Sequence, residues 1–413
     1  MIGKTLVFVT ALGFVVSSAV LAQRGPEQKV NLPEGNGKAE VEANCTQCHG
    51  LGQVANAGHS RKDWETAIYM MVNAGAKVPS GQIPVVTDYL TKNFPEKPLP
   101  PADILPGGVK VTFQEWDLPT PGSRPHDPLA AADGTIWYTG HMAGLLGHID
   151  PKTGKITEFR PKTPNVGPHG LTQDKDGNIW FTENFKGAIG ELFTKTGEFK
   201  EYPLPGGARD PHTPIFDQKG MLWFTVQGAN MVARLNPKTG DIKVVTSPTS
   251  RSNPYGMVIT SKGVPTFVEF GAPKVGQIDP DTMAIKEYPL PDPGARPRRI
   301  AISPDDTIWY SDFARGYLGR LDLSTGQVKE WPSPSGPKSQ PYAISWLKDA
   351  VWYVESNTKP NALVRFDPKT EKFQSWAIPG GGGVVRNMMV TKDGNLALAE
   401  SGVNKVALAE VGK

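Results

Sequence analysis

From Val109 onward, apolar and polar positions alternate in short runs, each closed by Gly, Asp or Pro. Period-two runs too short for helices and punctuated by turn residues predict β-strands. One run recurs along the chain. It reads DGTIWYTG from Asp133, DGNIWFTE from Asp176, KGMLWFTV from Lys219 and KGVPTFVE from Lys262, then DDTIWYSD from Asp305, KDAVWYVE from Lys348 and DGNLALAE from Asp393. Successive starts lie 43, 43, 43, 43, 43 and 45 residues apart. An inner stretch precedes each unit, and a third (LLGHIDPKTG) and a fourth (ITEFRP) follow it. Four strand-like segments in a period of about 40–45 residues predict a propeller blade. Seven units therefore predict a mainly β fold, a seven-bladed β-propeller. The last unit reaches Val411 after three strands, while VKVTFQEWDLP, Val109 to Pro119, is a spare outer strand ahead of the first. It is expected to complete the final blade and close the ring, which removes exposed sheet edges.

Ahead of the propeller (109–413) the pattern is helical. Lys38–Asn44, Arg61–Asn73 and Val85–Asn93 read as helices, and Trp64, Ile68, Met71 and Val72 share one face of the second. They define a small all-α domain over 28–97, joined to the propeller by a Pro-rich linker, 98–108, of semi-rigid character. Residues 1–22 have Lys4, an apolar stretch Leu6 to Val16 and small residues at Val20 and Ala22, the pattern of a signal peptide cleaved before Gln23. The mature chain is expected in the periplasm, with no membrane span left.

Composition narrows the function. The 413 residues include 44 basic and 41 acidic side chains, with no basic stripe, which excludes nucleic acid as a partner. Only two cysteines occur, and Cys45 and Cys48 stand directly before His49. Cys-x-x-Cys-His is the attachment site of haem c: the thiols bond the porphyrin and the histidine ligates the iron. No strand precedes the pair, as a thioredoxin-like redox motif would need. The segment 30–97 resembles a small class I c-type cytochrome. That resemblance implies one covalent haem with a methionine as second axial ligand, for which Met71 is the first choice and Met70 and His59 are rivals. It also implies electron transfer with a redox partner protein.

Each inner strand opens with a dipeptide whose second residue is His126, His169, His212, Tyr255, Arg298, Tyr342 or Arg386. These are expected to ring one mouth of the channel and attract an anionic or carbonyl-bearing ligand. A second ring, Gly140, Glu183, Val226, Glu269, Asp312, Glu355 and Glu400, is expected to bind a divalent cation, pair with the arginines or move protons. The histidines, on adjacent blades, are expected to stand too far apart for a single zinc ion.

The repeats, with GPHGLTQDKDGNIWFTE the clearest, resemble the streptogramin B (virginiamycin B) lyases over about 109–413. The resemblance implies a magnesium-dependent elimination that opens a cyclic depsipeptide. It makes His169 the general base, Glu183 the second metal carboxylate and His126 the neighbouring-blade histidine. Gly167 stands where the first carboxylate belongs. One blade on, Asp210 before His212 restores the acid, but Val226 then replaces the second carboxylate. The leading expectation is an exported c-type cytochrome that transfers electrons, with the propeller binding a substrate or partner. The alternatives are a magnesium-dependent lyase acting on a cyclic peptide and a non-catalytic binding scaffold.

Overall fold

The structure, a computed structural model, describes residues 30–412; the expected signal peptide lies outside them. Seven four-stranded antiparallel sheets form the propeller. Blade 1 comprises Pro125–Ala130, Ile136–Gly140, Leu145–Ile149 and Ile156–Phe159, from axis to rim, and the next five follow in chain order. Blade 7 is made from both ends of the chain: Val111–Asp117 pairs with Lys405–Val411, Val111 opposite Val411 and Asp117 opposite Lys405. The spare strand thus closes the ring as its pattern required.

Packing within and between blades explains the repeat. Core-strand aromatics such as Trp180, Trp223 and Trp352 are almost fully buried. In four blades the third strand offers a glycine, Gly147, Gly190, Gly276 or Gly319, directly against the ring of Tyr138, Phe181, Phe267 or Tyr310. A Cβ at Gly190 would lie 2.2 Å from Cζ of Phe181. The Gly190→Ala protein should therefore lose about 1–3 kcal/mol of stability, read as a lower unfolding midpoint.

Every inner strand also slips register against its core strand just after its first residue, as between Pro125 and Pro128 or between Pro168 and Leu171. A bulge bends the strand and re-aims its side chains. Here successive residues within the slip, such as His126 and Asp127, both make contacts on the axis.

Among the described residues four α-helices precede the propeller: α1 (Lys38–Cys45), α2 (Gly52–Asn56), α3 (Arg61–Asn73) and α4 (Ile83–Asn93). They enclose their own core around Val41, Trp64, Ile68, Val86 and Leu90. The Ser60 side chain caps α3 by accepting from the Asp63 amide. None of the helices among the described residues is long and apolar enough to cross a membrane.

The Pro-rich stretch is docked along blade 6 rather than left as a free tether. Leu105 donates to Ser375 Oγ at 2.8 Å and accepts from the Ser375 amide at 3.0 Å, and Gln374 Nε2 donates to the Val109 carbonyl at 2.7 Å. These bonds cover the outer edge of that blade. The helical unit then reaches loops on the channel-mouth face. Asn73 donates to the Pro121 carbonyl at 2.8 Å, the α3 backbone at Tyr69 and Met70 packs on Gly122, and Lys359 pairs with Glu96.

Candidate functional site

The inner strands converge, so residues of adjacent blades meet on the axis. The His126 and His169 rings are 3.5 Å apart between centroids, His169 and His212 3.9 Å, and His212 and Tyr255 3.6 Å. Tyr255 and Tyr342 share a hydroxyl hydrogen bond of 2.5 Å. The structure thus brings together the three histidines and both tyrosines expected there. Arg298 joins them, its guanidinium 3.9 Å from the Tyr342 ring centroid.

One layer deeper, a polar plug spans the channel. Arg299 donates to Asp127 Oδ1 at 2.6 Å, and Asn387 donates to Asp127 Oδ2 at 2.9 Å. His126 Nδ1 lies 2.8 Å from Asp127 Oδ1, in position to donate. Arg299 and Asp127 are both buried, 3% exposed. Burial works against the Arg299 charge, but Asp127 together with the Tyr255 and Tyr342 phenols outweighs it and holds the guanidinium above its ordinary range.

Sequence reasoning missed this plug, and it missed His141 and Arg124. His141 follows its core unit directly, at the place Asn184, Gln227, Phe270 and Phe313 hold in later blades, and that column was the available signal. His141 Nε2 lies 3.4 Å from Asn184 Oδ1, and Asn184 and Gln227 both donate to Asp210. Burial above all, then neighbouring imidazoles and guanidiniums, holds His126, His169 and His212 well below the ordinary histidine range. Burial and Arg124 take His141 down to about 3. The cluster is neutral at physiological pH.

The acidic ring stands elsewhere. Glu183 shares its strand face with Ile179 and Phe181, which pack between blades 1 and 2, and its carboxylate oxygens have no hydrogen-bond partner among the described residues. Burial and Glu201 push Glu183 up to about 8, and burial and Glu115 push Glu400 up to about 8. Asp312 pairs with Arg315, and Glu355 accepts from Ser333 and Ser335, so neither pairs with the mouth arginines.

Magnesium finds no adequate set here. A Cβ at Gly167 would lie 2.5 Å from Cδ2 of Phe185, on left-handed backbone with φ +61°, so the place of the first carboxylate is filled by an aromatic ring. In the other frame Asp210 is engaged by two amides and Val226 is buried in the apolar core. Among the described residues, the group that brings three ligand atoms within 4.8 Å of one another is His126, Asp127 and His169. The histidines are therefore closer than expected, because the strands converge, but Arg299 already supplies that group's positive charge.

A second candidate site lies in the helical unit. An apolar cavity of about 230 Å³ is lined by Cys45, Cys48, His49, Trp64, Ile68 and Met71. His49 Nδ1 is 3.1 Å from the Gly50 carbonyl; donation there leaves Nε2 with its lone pair free. The rivals to Met71 face other ways. His59 packs edge-on to Trp64 at 4.6 Å, and neither it nor Met70 lines the cavity. The residues present fit a covalently held haem.

Known proteins resemble the propeller. Solved structures similar to this chain include a streptogramin B lyase, at 28% identity and TM-score 0.67, covering 73% of this chain and 98% of that one. Virginiamycin B lyase from Staphylococcus aureus follows at 26% identity and TM-score 0.66, covering 73% and 99%. A catalytically inactive form of that enzyme, with quinupristin, matches at 25% identity and TM-score 0.67, covering 73% and 99%. No curated protein matches. The family model described as "Virginiamycin B lyase family" matches residues 107–358, more than half of the chain, and the chain belongs to that family.

Proposed function

We propose that this chain is an exported, periplasmic c-type haem protein that transfers electrons, with its propeller mouth serving as a ligand-binding module. The observation that carries this reading is the shared cavity: Cys45, Cys48 and His49 line one apolar space together with Met71 of α3. Cys45 and Cys48 would hold the porphyrin, and His49 and Met71 would ligate its iron. Bound there, haem would supply one-electron chemistry at a potential raised by the thioether ligand. Trp64 and Ile68 keep water from the site, and the Gly50 carbonyl sets the His49 tautomer. The chain made in a host that matures c-type cytochromes should retain haem through a denaturing gel, and the Cys45→Ala, Cys48→Ala double variant should retain none. A parent chain without covalent haem would end the reading. Met71→Ala should lower the reduction potential, whereas Met70→Ala should leave it unchanged.

Family membership and the neutral histidines favour a second reading, a lyase with His169 as base. His169 is unprotonated at neutral pH and its Nδ1 has no partner among the described residues. Quinupristin incubated with the chain and magnesium, followed by chromatographic retention, tests it. With Phe185 in the place of the first carboxylate, no opening is expected. Opening abolished by His169→Ala would establish the lyase instead.

A further inference from the structure

Three guanidiniums at the mouth are not neutralised. Among the described residues, the arginines that pair with carboxylates are Arg61, Arg299, Arg315 and Arg365. Arg124, Arg298 and Arg386 are not among them. Among the described residues the Arg124 side chain reaches only the Met142 sulfur, at 3.7 Å. The Nε atoms of Arg298 and Arg386 are buried with no hydrogen-bond partner among the described residues. Burial, then Arg386 and Arg298, bring Arg124 down to about 10, as expected of like charges crowded together.

Aromatic rings hold part of this charge in place. The Arg298 guanidinium lies 3.9 Å from the Tyr342 ring centroid, 4.2 Å from Phe313 and 4.7 Å from Phe270. Ring faces orient a cation but leave its N–H groups without acceptors. The Arg299–Asp127 pair, with Asn387, blocks the channel beneath these guanidiniums. A concave site lined by one sign of charge focuses its field on an incoming ion of the other.

We propose that Arg124, Arg298 and Arg386 form a binding site for a small oxyanion, a carboxylate or phosphate group carried by the propeller's ligand. The proposal deepens the ligand-binding half of the reading above and is independent of the haem. Guanidinium forks suit both anions, since each offers two oxygens in one plane. The Tyr342 hydroxyl lies beside the same charges. Burial raises that phenol, but Arg298, Arg386 and Arg299 outweigh burial and bring it below its ordinary range.

The test uses the haem-loaded full chain and isothermal titration with inorganic phosphate in one arm and malonate in the other, at ionic strength fixed with sodium chloride. Saturable binding in either arm is expected, and the tighter arm identifies the ligand class. Arg386→Gln and Arg124→Gln should each weaken it at least tenfold, while Arg251→Gln, outside the cluster, should not. Without anion, the same two variants should melt about 2–4 °C higher, because a like charge has been removed, and added anion should no longer raise their midpoints. No saturable binding in either arm, or binding unchanged in both variants, overturns the site. The haem spectrum, recorded on the same samples, keeps a failure here distinct from a failure of the electron-transfer reading.

Discussion

The Asp127→Ala protein is expected to unfold with about 3–5 kcal/mol less stability than the parent, because it leaves Arg299 charged and buried with no carboxylate beside it. Arg299 is 3% exposed and its shortest bond is to Asp127, so water cannot take over the charge. Asn387 and His126 lose their acceptor at the same time. Arg299→Met should be nearly as damaging, by stranding the carboxylate. The double variant Asp127→Leu, Arg299→Met should recover a large part of the loss, since a buried ion pair replaced by apolar groups is often close to neutral. Denaturant midpoints of the four proteins form the cycle that measures this. Additive losses in the double variant would show that the two residues do not act as a pair.

Stability should pass through a maximum near pH 6.5, and the reasons differ on its two sides. Glu183 and Glu400 titrate at about 8 when folded, with ordinary glutamate values near 4.5. Their folded pKa values are raised, so the stability they contribute is complete at low pH and is lost as pH rises towards 8. Between pH 6.5 and 8 each removes about 1.4 kcal/mol per pH unit. The histidines act in the opposite sense. His141 lies at about 3 and its three neighbours well below the ordinary 6.5, so their contribution is intact above 6.5 and falls away as the unfolded chain takes up protons below it. Between about pH 4.5 and 6.5 the two groups oppose one another, but four histidines outnumber two carboxyls, so stability still falls on the acid side. Glu183→Gln should flatten the alkaline side in chemical unfolding followed against pH. A parent curve rising from pH 6.5 to 8 would show that these carboxyls are ionised in the folded state.

The architecture was legible because it is periodic. A spacing of 43 residues, a tryptophan in fixed register and an unmatched outer strand leave little besides a closed seven-bladed ring. The helix Arg61–Asn73 was equally plain and Lys38–Asn44 stopped one residue short of α1, while α2, five residues with one buried apolar side chain, Val54, offered no period to read. The mouth was legible only in its top layer, where the Pro-His dipeptides repeat. Asp127 and Arg299 are 172 residues apart, and their meeting depends on a register slip that the sequence does not announce. Glu183 misled for a related reason. Its place at a strand end suggested the channel, but strand alternation puts it on the face with Ile179 and Phe181, towards the neighbouring blade.

The slip repeated in every inner strand has a consequence for how this protein can change. In blades 1, 3, 5 and 7 two successive residues reach the axis, one at the mouth and one in the plug, and they answer to different demands. The outer member of each pair decides what is admitted. The inner member decides whether the shaft is sealed. A substitution such as His212→Gln can alter selectivity while the seal made by Asp127, Arg299 and Asn387 stays intact. Relatives sharing this ring can therefore diverge in what they recognise without reopening the question of how they fold.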